Sequence, residues 1–242
     1  MANDHIVTSY DDELTELNSK IAHMGGLAEE QLGRSLDAMK ALDLDLADAI
    51  IAADKGIDLL EHDIEEQAIL MIAKRQPMAQ DLREIIVAIR IASDLERIAD
   101  LAKNIAKRVH ALSEDRPVRI ISSLGRMGRL AMEQLKNVLD AHAQRNEHKA
   151  MEVWRRDEEV DAMYNSLFRE LLTYMMEDPR NISLCTHLLF AAKNIERIGD
   201  YATNIAENVY YLVHGLTLDE ERPKGDVTSV TQVEYEEPAS DK

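Results

Sequence analysis

A stretch of helix-forming sequence occurs twice, 100 residues apart. Residues 91–109 and 191–209 are identical at 92, 96, 97, 98, 100, 102, 104, 105, 106 and 109 of the first copy, ten of nineteen positions. Such self-similarity limits the chain to architectures built from two copies of one supersecondary unit. Some of the shared residues are apolar and would be kept in any duplicated core. The shared Glu, Arg, Asp and Asn call for another reason.

The apolar pattern around the repeat says what the unit is. From Glu13 onward Leu14, Leu17, Ile21, Met24, Ala28, Leu32, Leu36 and Met39 recur every three or four residues, as in a helix with one buried stripe. After Asp43-Leu44-Asp45 a second stripe runs through Ile50, Ile57, Leu60, Ile64, Ala68 and Met71 to Pro77, which biases Gln76 away from helical angles. A third joins Leu82, Ile85, Ile89, Leu95, Ile98, Ala102, Ile105 and Val109 and stops in the segment from Ser113 to Pro117.

The second half repeats the plan, with breaks at Arg145-Asn146, Asp178-Pro179 and His214-Gly215. With 45% hydrophobic and only 4% aromatic residues, the composition suits helices packed on helices. The expected fold is all-α: two tandem three-helix bundles, residues 8–113 and 116–214, made of six long antiparallel helices. Residues 215–242 hold eight acids against Arg222, Lys224 and Lys242, and are expected to form a disordered acidic tail.

Charge and composition exclude several functions. A net charge of −18 without a basic face disfavours nucleic-acid binding. No uncharged apolar run reaches the roughly 20 residues of a membrane span, and the N-terminus lacks a signal pattern, so a cytoplasmic protein is expected. The single cysteine, Cys185, lies in an apolar run and reads as a small buried hydrophobe. None of the eight histidines follows a glutamate by three residues, which disfavours a ferritin-like di-metal oxidase. No phosphate-cradling Gly-Lys-Ser/Thr loop is present; Gly25-Gly26, Gly125 and Gly128 read as close-packing positions or helix irregularities.

The polar part of the repeat points to cations. Glu96, Asp100 and Asn104, and likewise Glu196, Asp200 and Asn204, are spaced four apart and stack along one helical face, placed on a helical wheel opposite the Ile98, Ala102 and Ile105 stripe and therefore outward. The preceding helices carry Asp54 with Asp58 and Asp157 with Asp161 at the same spacing. Like charges so placed cost a helix roughly 0.2–0.5 kcal/mol per pair, and a bound metal ion would offset that. A single pair is most simply a solvated face. Its recurrence in both halves favours a site for a hard or borderline cation: magnesium, manganese, iron or zinc. The asparagines either orient ligands or bond a neighbouring helix.

Several motifs then agree with one family. Glu96-Arg97-Ile98-Ala99-Asp100 and Glu196-Arg197-Ile198-Gly199-Asp200, Ala73-Lys74-Arg75-Gln76-Pro77 followed by Asp81-Leu82-Arg83, and the run from Thr173 to Asp178 resemble the PhoU family of bacterial phosphate-specific transport systems, over roughly residues 8–214. The resemblance implies multinuclear metal clusters held by Glu96, Asp100, Asp54 and Asp58 in one half and by Glu196, Asp200, Asp157 and Asp161 in the other. It also implies a non-enzymatic negative regulator of the phosphate-starvation response that restrains phosphate uptake. The implied partners are a PhoR-type sensor histidine kinase, a PstB-type ATPase of the phosphate ABC transporter, and a second copy of the chain, with membrane contact only through those partners. The rival reading from the residues is a metal-dependent hydrolase using the surface carboxylates.

Overall fold

The computed structural model describes residues 2–112, 118–220 and 222, with side chains from residue 10 and, in the second half, from 121. The elements are α1 (Ala2–Ala41), α2 (Leu44–Arg75), α3 (Gln80–Leu112), α4 (Val118–Ala143), α5 (Glu147–Arg155), α6 (Asp157–Glu177), a 3-10 turn at Pro179–Asn181, and α7 (Ile182–His214). Six helical positions are filled; the fifth is shared by α5 and α6.

Local chemistry sets the ends. Asp43 and Asn146 cap α2 and α5 by accepting from the backbone N–H of Leu46 and Lys149. Gln76 takes a left-handed conformation (φ 49°) before Pro77 and ends α2, and Gly215 (φ 74°) ends α7. The segment from Ser113 to Pro117, expected as the break between halves, lies outside the described residues.

The sequence pattern did not show the break at Arg156. There the backbone leaves helical geometry (φ −88°, ψ 4°). The Arg156 carbonyl accepts from Gln134 Nε2 at 2.9 Å, while its guanidinium pairs with Glu159 and Glu133. A polar side chain of α4 thus satisfies backbone that the interruption exposes.

Helices α1, α2 and α3 pack on one another, as do α4, α5, α6 and α7, and the halves meet along α3 with α7 and α1 with α4. One continuous apolar core results, including Leu17, Ile21, Leu32, Ile98, Ile105, Leu135, Ile195 and Ile205. Cys185 is buried within it. Leu82, assigned to the core from its spacing, is 36% exposed because it lies in the first turn of α3, at the bundle end.

The α1–α4 crossing is reciprocal. A Cβ on Gly25 would come within 2.8 Å of Leu139, and one on Gly128 within 2.4 Å of Leu36. Gly25 and Gly128, like Leu36 and Leu139, stand 103 residues apart, so each half seats its leucine on the other half's glycine. Gly26 and Gly125 have no such close neighbour.

Candidate metal centre

In the first half the acids lie along the seam between α2 and α3. Asp54 is 4% exposed. Gln31 of α1 donates through Nε2 to Asp54 Oδ1 at 2.8 Å and to the Ala99 carbonyl at 3.0 Å. Lys103 Nζ lies 2.5 Å from Asp54 Oδ2 and 2.6 Å from Asp100 Oδ1, bridging the two helices. Burial works against the Lys103 charge, but hydrogen bonds to Asp100 and Asp54 outweigh it and hold the ammonium well above the ordinary lysine range. Asn104 Nδ2 donates to Asp100 Oδ2 at 3.1 Å. Burial raises Glu96, Arg97 opposes that shift, and the charges of Asp100, Asp58 and Glu61 add to it. Asp58 is exposed.

The second half places the corresponding acids between α6 and α7, with different counter-ions. Asp157, the first residue of α6 and 2% exposed, accepts from Thr203 Oγ1 at 3.0 Å. Arg222 returns from beyond α7 to donate through Nε to Asp157 Oδ2 (2.8 Å) and through Nη2 to Asp157 Oδ1 (3.1 Å) and Asp200 Oδ1 (2.7 Å). Asn204 Oδ1 accepts from Arg222 Nη1 at 3.4 Å. Glu196, 5% exposed, takes Lys193 Nζ at 2.8 Å on Oε1, while its buried Oε2 has no hydrogen-bond partner. Burial pushes Glu196 up to about 7; Lys193 opposes the shift, and the Asp200 and Asp161 charges add to it.

The outward face drawn by the helical wheel is only partly realised: the Asp100 and Asp200 side chains stay about a third exposed, whereas Glu196 is 5% exposed. On the preceding helices Asp54, Asp157 and Asp161 are also no more than 5% exposed. The wheel assumed one buried face, whereas α3 and α7 pack against their own half and against each other, so Leu95, Ala99, Leu101 and Ala106 are buried as well as the expected stripe. Among the described residues, the one group of three metal-ligand side chains within 4.8 Å of one another is Glu61, His62 and Glu65 on α2. Of the acids singled out by the sequence, Asp54 and Asp100 are instead held around Lys103, and Asp157 and Asp200 around Arg222.

Gln31, Lys103, Thr203 and Arg222 all contact these acids and were not assigned from sequence. Gln31 had a signal: it stands within the first apolar stripe, 103 residues before Gln134, which interrupts the equivalent stripe. Lys103 against Thr203 is a mismatch inside the repeat. Arg222 carried no signal: it lies in the segment expected as a disordered tail, of which residues 215–220 and 222 are placed against the bundle, while 221 and 223–242 lie outside the described residues. The asparagine alternatives are divided between the halves: Asn104 orients Asp100 on its own helix, whereas Asn204 also bonds Asp94 across the seam on α3.

Each seam brings two carboxylates onto one basic side chain, Asp54 and Asp100 onto Lys103 and Asp157 and Asp200 onto Arg222, with Glu96 paired to Arg97 and Glu196 to Lys193. Oxygen donors of this kind suit a hard cation, although among the described residues no three of these acids bring ligand oxygens within 4.8 Å of one another. The partnerless buried Glu196 Oε2 is an oxygen such an ion would engage.

A tandem three-helix chain with an acid-rich seam at the equivalent place in each half is the class of protein that fold and site define. A family model described as the PhoU domain matches residues 21–109 and 124–209. The chain is 55% identical to the phosphate-specific transport system accessory protein PhoU homolog of Rhizobium meliloti (strain 1021), covering 95% of this chain and 97% of that one. It is 38% identical to the phosphate-specific transport system accessory protein PhoU of Escherichia coli (strain K12), over 88% of each. The crystal structure of PhoU from Pseudomonas aeruginosa superposes with a TM-score of 0.80 at 38% identity, covering 86% of this chain and all of that one. A phosphate transport system regulatory protein PhoU from Streptococcus pneumoniae gives 0.81 at 32%, over 87% of this chain and all of that one. The chain belongs to the PhoU domain family, an accessory family of phosphate transport. Among the described residues, no helix is long and apolar enough to cross a membrane.

Proposed function

We propose that the chain is a cytoplasmic, metal-binding adaptor that restrains the phosphate-starvation response and phosphate uptake when phosphate is plentiful. It works, as a homodimer, between a PhoR-type sensor histidine kinase and the PstB-type ATPase of the phosphate ABC transporter. The observation that carries this reading is the duplicated carboxylate seam in a chain whose relatives are named for the phosphate-specific transport system. Glu96, Asp100, Asp54 and Asp58 would hold an ion in one half, and Glu196, Asp200, Asp157 and Asp161 in the other, with iron, zinc, manganese and magnesium all compatible with oxygen donors.

A bound ion supplies positive charge where burial and repulsion penalise these acids. The chain's own residues do the rest: Gln31 and Thr203 fix the aspartates of the second helical position, and Asn104 fixes Asp100. The seams join adjacent helices, so charge balance there affects how each half holds together and which helical faces it offers a partner. Side chains around the acids act as counter-ions and hydrogen-bond partners, which favours an adaptor over the hydrolase reading.

Affinity capture from membranes of cells grown in high and low phosphate tests the proposal, using the wild-type chain and a folded Asp100→Ala/Asp200→Ala variant. Recovery of a histidine kinase and a phosphate-transporter ATPase, diminished in the variant, is the expected result. Recovery of neither by the wild type would reject the adaptor role.

A further inference from the structure

The two halves neutralise equivalent acids by different means. In the first, the counter-ion Lys103 belongs to α3 itself, three residues from Asp100. Its counterpart on α7 is Thr203, which satisfies one oxygen of Asp157 and brings no charge. The missing charge comes from Arg222, eight residues beyond the end of α7. Its guanidinium is forked across Asp157, reaches Asp200 and Asn204, and its side chain is only 16% exposed.

A forked, charge-assisted pair with a buried carboxylate is among the stronger side-chain contacts available. Arg222 also sits over two of the four carboxylates assigned to the second cation site. The site nonetheless remains rich in negative charge, and Glu196 Oε2 lies buried there without a partner. A guanidinium forked on Asp157 and reaching Asp200 takes up the lone pairs and the approach that a metal ion at those oxygens would need, so the two compete.

Resting on the cation reading above, we infer that the second-half carboxylates form a guanidinium-binding site occupied by the chain's own Arg222, and that a divalent cation enters by displacing it. The first half, whose counter-ion is part of the helix, has no such exchange. Displacement has a consequence for the surface. Residues 215–220 lie against α3 and α7, and Leu218 packs on the core. Together with Thr217 and Glu220 it forms one wall of an open pocket of about 440 Å³ otherwise lined by side chains of α3 and α7, Arg90, Asp94, Glu207 and Tyr211 among them. Loss of the Arg222 anchor frees that segment, so cation occupancy and exposure of the α3–α7 cavity rise together.

The test uses the full chain carrying Asp100→Asn, which weakens the first-half site, with and without Arg222→Ala. Mn²⁺ binding is followed by calorimetry, and hydrogen exchange of the peptide spanning 215–222 by mass spectrometry. Arg222→Ala should tighten Mn²⁺ binding by about tenfold or more, and Mn²⁺ should speed exchange of that peptide only where Arg222 is present. Equal affinity with and without Arg222, or exchange unaffected by Mn²⁺ binding, overturns the competition while leaving the cation site standing. No Mn²⁺ bound by either protein, with Arg222→Ala still loosening the peptide, overturns the cation reading itself and leaves Arg222 as a structural clasp.

Discussion

Lys103 Nζ lies 2.5 Å from the buried carboxylate of Asp54, on the neighbouring helix. The same ammonium holds Asp100, so one cation balances two acids of the first-half seam. Removing the positive partner of a buried ion pair leaves uncompensated charge, which typically costs roughly 3–5 kcal/mol. Lys103→Met should therefore lower stability by about 3 kcal/mol in chelator-treated protein, read by urea unfolding. Added Mn²⁺ should restore part of that loss; a variant as stable as wild type in chelator contradicts the counter-ion role.

The glycine–leucine exchange at the α1–α4 crossing gives a prediction about how the halves are joined. Gly128 leaves no room for a side chain beneath Leu36. Overpacking there should cost about 1–3 kcal/mol, so Gly128→Leu is expected to lower the unfolding midpoint, and Leu36→Ala in the same chain to recover part of the loss. No recovery would mean that the strain arises elsewhere.

Much of this architecture is legible in sequence because long amphipathic helices announce themselves. Pro77, Asn146, Pro179 and Gly215 mark ends where the structure places them. The break at Arg156 is hidden in the sequence because the apolar Val153 and Val160, seven residues apart, keep helical spacing across it, and the interruption depends on Gln134 and Glu133 from another helix. Repetition exposed the carboxylate positions, but the burial of Glu196 did not follow from a wheel drawn for an isolated helix. The partners Gln31 and Arg222 meet the acids only through tertiary packing, Arg222 from 65 residues away in the chain.

His142 provides a pH test of the junction between halves. Burial lowers its pKa to about 4; the Glu84 charge opposes this shift and the Arg145 charge adds to it. In the unfolded chain histidine takes up its proton near pH 6.5. Between about 6.5 and 4 the unfolded state thus binds the extra proton, and this contribution to stability, complete above the upper value, is lost as pH falls through the lower one. Relative to His142→Gln, the wild type should lose roughly 1–3 kcal/mol between pH ~7 and pH ~4. A stability difference flat in pH would contradict the half-buried neutral imidazole.

The account rests on the two seams as cation sites, and metal content tests that most directly. The full chain and the folded Asp100→Ala/Asp200→Ala variant, both isolated without chelator and dialysed against one trace mixture of iron, zinc, manganese and magnesium, are compared by elemental mass spectrometry. Retained metal in the wild type that the variant has lost is the predicted result. Equal metal in both proteins, or none in the wild type, would contradict the assignment of these carboxylates.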